Sequence, residues 1–466
     1  MAEAGKTVNA ERVVIGGSVG CLIGAFAAAE AGAGTVLVLP PRGIGSGFAA
    51  REENGFRLDV GCRRLDLTST SESAPVSAYR PGASPRPFAE ALGSFLRDRI
   101  GLDLAPTPAP RLTYAGHFVD DFIASLDLSS LPHLLPPDQL KQVREETDAI
   151  LAASPPDPLA LGLGGAPNLS EVSLEEASLA NHGRTFHHLF IEPFARKTCA
   201  QGWARTPADL ASKIWTPLFY PRTLNQGCRG EVDRGRPAVT YYYPSSGYFG
   251  ELVERTMERL EAHPDVEIVR AADLTSLENA GNTYRAAFAD GAAFEWACPF
   301  ALGISVPKYC ELAGVPGPFD ESALAIFWAE IGESDLLVEP ALVNVFDPDT
   351  QAYRISFGGC GAREGRRIVT VELAGHSPEC NEEGVSALLK RLGILAPAAR
   401  IKEIAWEAGL KTLAPSAGNR VRLREAQAAL MARGIEPYLI GTLNDMKADT
   451  LNEHVLQGMK FADVSG

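Results

Sequence analysis

The run ERVVIGGSVG places Gly16, Gly17 and Gly20 where an apolar, β-branched segment gives way to an alanine-rich one. Glycines at such a turn let the backbone approach a phosphate. The helix that follows presents free amides and the positive end of its dipole. The turn keeps the GxxG spacing of a dinucleotide fingerprint, but Ile15 stands at the first of its six positions. An acidic residue is expected at the end of the next strand, to hold the ribose hydroxyls. Pro40 stands there, with Pro41 and Arg42 behind it. A proline side chain accepts no hydrogen bond. Arg42 is a candidate phosphate ligand, as an arginine is where a nicotinamide dinucleotide carries a 2′-phosphate. The plain alternative is a glycine turn that binds nothing.

A second set of residues could grip an anionic substrate. Arg184 and Lys197 lie on or just after one helical stretch, and an arginine fork matches a diphosphate or carboxylate. Arg196 reads more simply as the partner of nearby acids. In TYYYP, strand alternation sends Tyr241 and Tyr243 to one face, where they could line a pocket or merely pack. No Ser-His-Asp set, P-loop or metal-ligand spacing stands out. His187 and His188 are adjacent and should point to different sides of a helix, so no metal site is expected.

These residues need elements to position them. Residues 11–40 read as strand, glycine turn, helix, strand. A capping box, Ser173 with Glu176, opens a helix expected to run to residue 197, which Pro193 should kink or end. YYYPSSGYFGELVERTMERLEAHPDVEIV reads as a second strand–helix–strand. A small β-meander should follow, turning at residues 280–282 and 290–291. Residues 321–375 are β-rich, and the chain closes on strand, loop and helix from residue 437.

At 466 residues the chain exceeds what one core usually serves, so two domains are expected. A net charge of −15 leaves no basic surplus for nucleic acid. No apolar run is long enough to span a membrane, and the N-terminus does not read as a signal peptide. The eight cysteines lack CxxC pairs and fit a reduced, cytoplasmic setting. A small-molecule substrate is the expected partner, and a homo-oligomer stays open.

Five segments, in order along the chain, resemble FAD-dependent proteins related to UDP-galactopyranose mutase and protoporphyrinogen oxidase, of the amine oxidoreductase superfamily. They are ENGFRLDVGCRRLDL, APRLTYAGHFVDDFIA, SLEEASLANHGRTFHHLFIEPFARKTCAQGWARTPADLAS, YYYPSSGYFGELVERTMERL and PYLIGTLNDMKADTLNEHVLQGMKFAD. The resemblance implies an α/β fold. A Rossmann-like FAD/NAD(P)-binding domain would be built discontinuously from residues 10–64, 238–300 and 400–466. A mixed α+β substrate domain would take residues 65–237 and 301–399. It implies FAD contacts at Gly61 and Arg63, at the strand holding Leu274 on the adenine side, and at Gly441 and Asn444. Lys197 falls on a matching position and is expected to face the interdomain cleft.

The sequence departs from the family at Ile15, Pro40, Cys62 and Thr442, all on stretches implied to touch the flavin. Two readings follow. The first is an oxidoreductase or mutase-like enzyme acting on a small organic substrate, such as a sugar nucleotide, with weakened FAD binding. The second is a flavin-free descendant with a non-redox, binding or regulatory role. A nicotinamide enzyme that uses only the N-terminal turn and Arg42 is a third.

Overall fold

The structure is a computed structural model that describes residues 6–68, 73–125, 127–153, 169–199, 202–232 and 239–464. The opening apolar run forms β1 (Arg12–Ile15), and the glycine turn leads into α1 (Val19–Glu30), capped by Ser18. β2 (Thr35–Leu39) follows and ends at Pro40. Later come α2 (Gly250–Ala262), β3 (Val266–Arg270), β4 (Phe300–Leu302), β5 (Tyr438–Leu439) and α3 (Leu451–Phe461). The five strands form one wholly parallel sheet in the order β3-β2-β1-β4-β5. The first and last strands of the chain thus share a sheet, as a discontinuous nucleotide-binding fold requires.

Both faces of this sheet are covered, which is why its strands are apolar without alternation. Val14, Leu37 and Leu39 face a core shared with α1 and α3. Val13, Ile15, Val36 and Val38 face the opposite core, under a β-meander and the helices Val306–Ala313 and Ala417–Ala432. The meander (Leu274–Asn279, Tyr284–Phe288, Ala293–Trp296) turns where the sequence indicates.

The second sheet has seven strands. From the edge inward they are Lys402–Leu413, Glu321–Gly332, Arg366–Ala374, Ala352–Phe357, Val343–Val345, Arg111–Tyr114 and His117–Asp120. Two of the expected domain limits need correction. Residue 300 opens β4, so the limit drawn there cuts a strand of the parallel sheet. Lys402–Leu413 was placed with the nucleotide-type domain, yet it pairs antiparallel with Glu321–Gly332. Its half-exposed pattern suits an edge strand and not a doubly covered sheet.

The helix after Ser173 carries the capping box, with Ser173 Oγ accepting from Glu176 N and Glu176 reaching back to Ser173 N. It does not run unbroken to residue 197. Gly183 kinks it at φ 73°, and His187–Ile191 forms a π-turn before the last helical piece, Glu192–Thr198. Pro193 sits in the first turn of that piece, directly after the π-turn, where its missing N–H is tolerated. No helix among the described residues is long and apolar enough to cross a membrane.

Candidate functional site

A cleft of about 640 Å³ lies over the C-terminal ends of β1 and β2, where ligands of open α/β sheets bind. Gly16 and Gly17 line it, together with Ser18 and Pro40. Gly16 has φ +135°, and a Cβ there would lie 2.3 Å from the Gly303 carbonyl oxygen. Only glycine lets the turn pass beneath β4. The first turn of α1 carries no acidic side chain, so its positive end faces the cleft unneutralised. Gly20 does not line the cleft. A Cβ on it would meet Ile440 Cγ2 at 2.5 Å and the His454 carbonyl oxygen at 2.9 Å, so this glycine serves the packing of α1 on α3.

The loop after Pro40 builds the near wall with Gly43, Ser46, Gly47 and Phe48. Gly45 N donates to Gly17 O at 2.6 Å, folding residues 43–48 over the glycine turn, and Phe48 lies edge-on to His454 with ring centres 5.4 Å apart. The far wall includes Leu274, on the strand expected to face adenine, and Gly441. Arg42 is exposed and outside the cleft wall. Asn444 is also not in the wall, because its amide donates to Leu439 O at 2.8 Å. Neighbouring polar groups are likewise engaged: Asp445 by Arg420 and Arg424, and Asn452 by the Asp66 backbone.

A second cavity, of about 470 Å³, adjoins the first, and Gly47, Phe48, Arg63, Thr442 and Asp449 line both. Arg63 stacks on Phe48 with its Cζ 5.0 Å from the ring centre and donates to Gly47 O at 2.7 Å. Gly61 and Tyr241 line the second cavity, as does Arg64. Tyr243 does not. Its hydroxyl donates to buried Asp59, whose carboxylate also accepts from Phe249 N at 2.8 Å.

The deepest charged pair in this cavity is one the sequence reading missed. Arg354 lies directly across from Glu372 on adjacent strands and meets it through two hydrogen bonds. A register shift between Ala352 and Arg354 lets Tyr353 reach the same carboxylate, at 3.1 Å, and Cys62 N donates to it at 2.8 Å. Arg354 Nη1 is buried without a hydrogen-bond partner among the described residues, beneath Trp215, whose ring centre lies 4.3 Å from Cζ. Trp215 is 39% exposed and sits at φ +56°, a conformation rare for a bulky residue. Lys213 and Lys411 add to the cationic wall. Asp449 is held well below the usual carboxylate range: burial opposes this, but Lys213 at 3.4 Å and a bond to His454 Nε2 at 3.0 Å outweigh it.

Arg184 and Lys197 are not in either cavity. Arg184 is exposed on its helix. Lys197 is buried, and its ammonium donates to the carbonyls of Val345 and Ala352, each at 3.1 Å, and to that of Asp347. It ties the helix to the second sheet, contrary to the expectation that it faces the cleft.

No protein-family model matches the chain, and no curated protein matches it in sequence. Solved structures do. That of reduced UDP-galactopyranose mutase aligns with a TM-score of 0.72 at 14% identity, over 98% of this chain and 95% of that one. The fold is that of UDP-galactopyranose mutase. A structure assigned as protoporphyrinogen oxidase from Exiguobacterium sp. has a TM-score of 0.61 at 16% identity, over 97% and 98% of the two chains. For a putrescine oxidase variant the values are 0.53 and 12%, over 98% of each chain. The expected arrangement is therefore the one present: a discontinuous Rossmann-like domain with a second, mixed α+β domain.

Proposed function

We propose that the chain is a flavin-fold enzyme, an oxidoreductase or mutase, acting on a small organic anion such as a sugar nucleotide. The junction of the two cavities carries this reading. A glycine-walled cleft at a helix N-terminus opens, at Phe48, Arg63 and Thr442, onto a cavity with Arg354 at its base.

The first cleft fits a dinucleotide. Its volume lies within the range of cofactor sites, and Gly16, Gly17, Ser18 and Gly441 would hold the diphosphate, with Leu274 toward the adenine. A bound flavin would supply the redox or covalent chemistry, as cofactors of this class do. The chain supplies the rest. Arg354, Arg64 and Lys411 attract and orient an anion, Trp215 and Tyr241 offer planar walls, and the buried Glu372 fixes Arg354 in place.

Pro40 favours weak FAD binding. It occupies the position of the ribose acceptor, with its ring 3.1 Å from where a Gly17 Cβ would be, and no side chain of the 43–48 loop replaces the missing carboxylate. The same observation supports the second reading, a flavin-free descendant that keeps the anion cavity for another role. The exposed position of Arg42 removes the support for a nicotinamide enzyme.

The test is to incubate the purified chain with FAD, remove free flavin by gel filtration and record the visible spectrum with and without dithionite. Flavin that co-elutes and bleaches on reduction supports the enzyme reading. Colourless protein, in a sample that still binds an anionic ligand such as UDP, supports the flavin-free one.

A further inference from the structure

The π-turn brings together residues that an α-helix would separate. His187–Ile191 bonds in the i→i+5 pattern, which stacks residues five apart, so His187 comes over Glu192. His188 reaches the same carboxylate by ordinary i,i+4 spacing, Nδ1 to Oε2 at 2.7 Å. The two imidazole centres are 5.0 Å apart instead of diverging. Ligand atoms of His187, His188 and Glu192 all lie within 4.8 Å of one another. None of the three lines either cavity.

His187 is 0% exposed, and its Nε2 is buried with no hydrogen-bond partner among the described residues. The opposite ring nitrogen is anchored. Nδ1 lies 2.9 Å from Ser178 Oγ, which is 3.0 Å from His182 Nδ1, and His182 Nε2 accepts from Phe219 N at 2.8 Å. Ligation through Nε2 requires the tautomer with the proton on Nδ1, in which His187 donates to Ser178 Oγ. Metal-bound histidines are held by this kind of contact.

We propose that His187 Nε2, His188 and Glu192 bind one divalent transition-metal ion, of the zinc type. Two imidazoles and a carboxylate suit zinc, cobalt, nickel or copper, whereas magnesium and calcium take oxygen donors. Donors on one zinc lie roughly 3–4 Å apart, given bonds of about 2.0–2.2 Å. Binding therefore requires the ligands to draw closer than their present spacing of up to 4.8 Å, and His188 is exposed and Glu192 half-buried, so both have room to rotate. Three protein ligands leave a position for water or an exogenous group. The competitor is Arg196, which holds Glu192 Oε1 at 2.6 Å and packs over Trp203.

The test is titration of the full chain with Co²⁺ at neutral pH, followed by visible d–d absorbance, with Zn²⁺ as competitor. One saturable site, displaced stoichiometrically by Zn²⁺, is expected. His188→Ala and Glu192→Gln change side chains that are not deeply buried and should each weaken binding at least tenfold. Arg196→Ala should tighten it by freeing the carboxylate. Circular dichroism confirms that each variant folds. Absence of saturable binding overturns the proposal, as does binding that survives both His188→Ala and Glu192→Gln unchanged, which would place the metal on other residues such as the free cysteines.

Discussion

Arg354 and Glu372 meet through two hydrogen bonds, Nε to Oε1 at 2.6 Å and Nη2 to Oε2 at 2.5 Å, with side chains only 6% and 4% exposed. Burial would depress the guanidinium and raise the carboxyl. Each partner's charge reverses that, holding Arg354 above and Glu372 below its ordinary range. Removing one partner leaves the other charged, buried and alone, at a cost of about 3–5 kcal/mol. Glu372→Gln should therefore lower the urea midpoint sharply, and the loss should be reduced when Arg354→Met is added. A midpoint within error of the parent in the single variant would show that the pair is not the anchor described.

Gly20→Ala should loosen the packing of α1 on α3, because the new methyl would overlap Ile440 and the His454 backbone. Overpacking of this kind costs about 1–3 kcal/mol. Gly34→Ala, with nothing within 4 Å of its would-be Cβ, should be close to neutral. Thermal unfolding of the two variants side by side checks this, and equal melting temperatures would count against it.

His182 and His187 give a pH dependence with a fixed sign. Burial pushes them down to about 3 and about 4 from an ordinary 6.5. Between pH 6.5 and 4 the unfolded chain binds more protons than the folded one, so stability falls as pH falls. Each histidine contributes up to about 1.4 kcal/mol per pH unit. Chemical denaturation at pH 7 and pH 5 should show this slope, and His182→Gln, which takes up no proton there, should lose part of it. A slope unchanged in that variant would assign the effect to other groups.

The sequence revealed most where the signal is local. β1, the glycine turn and α1 follow from consecutive residues, and the Ser173–Glu176 capping box marks a helix start that the structure keeps. The site was less legible because its charged centre is assembled from distant segments. Arg354 and Glu372 sit in β-rich stretches with no motif of their own, and only strand register and a bulge bring them together with Cys62. Lys197 misled for the reverse reason: its position matched the family, but its ammonium is taken up by carbonyls of residues 345–352. The π-turn has no simple residue code, so the adjacent histidines were read with α-helical geometry and separated.

The glycine-walled cleft is proposed to take FAD weakly, for want of a ribose acceptor at Pro40. Calorimetric titration of FAD into the parent chain and into Pro40→Glu tests it most directly. A restored carboxylate–hydroxyl hydrogen bond is worth about 1.5–3 kcal/mol, so affinity should rise by at least about tenfold. Saturable micromolar or weaker binding is expected in the parent, and tighter one-to-one binding in Pro40→Glu. No binding heat in either protein would contradict it.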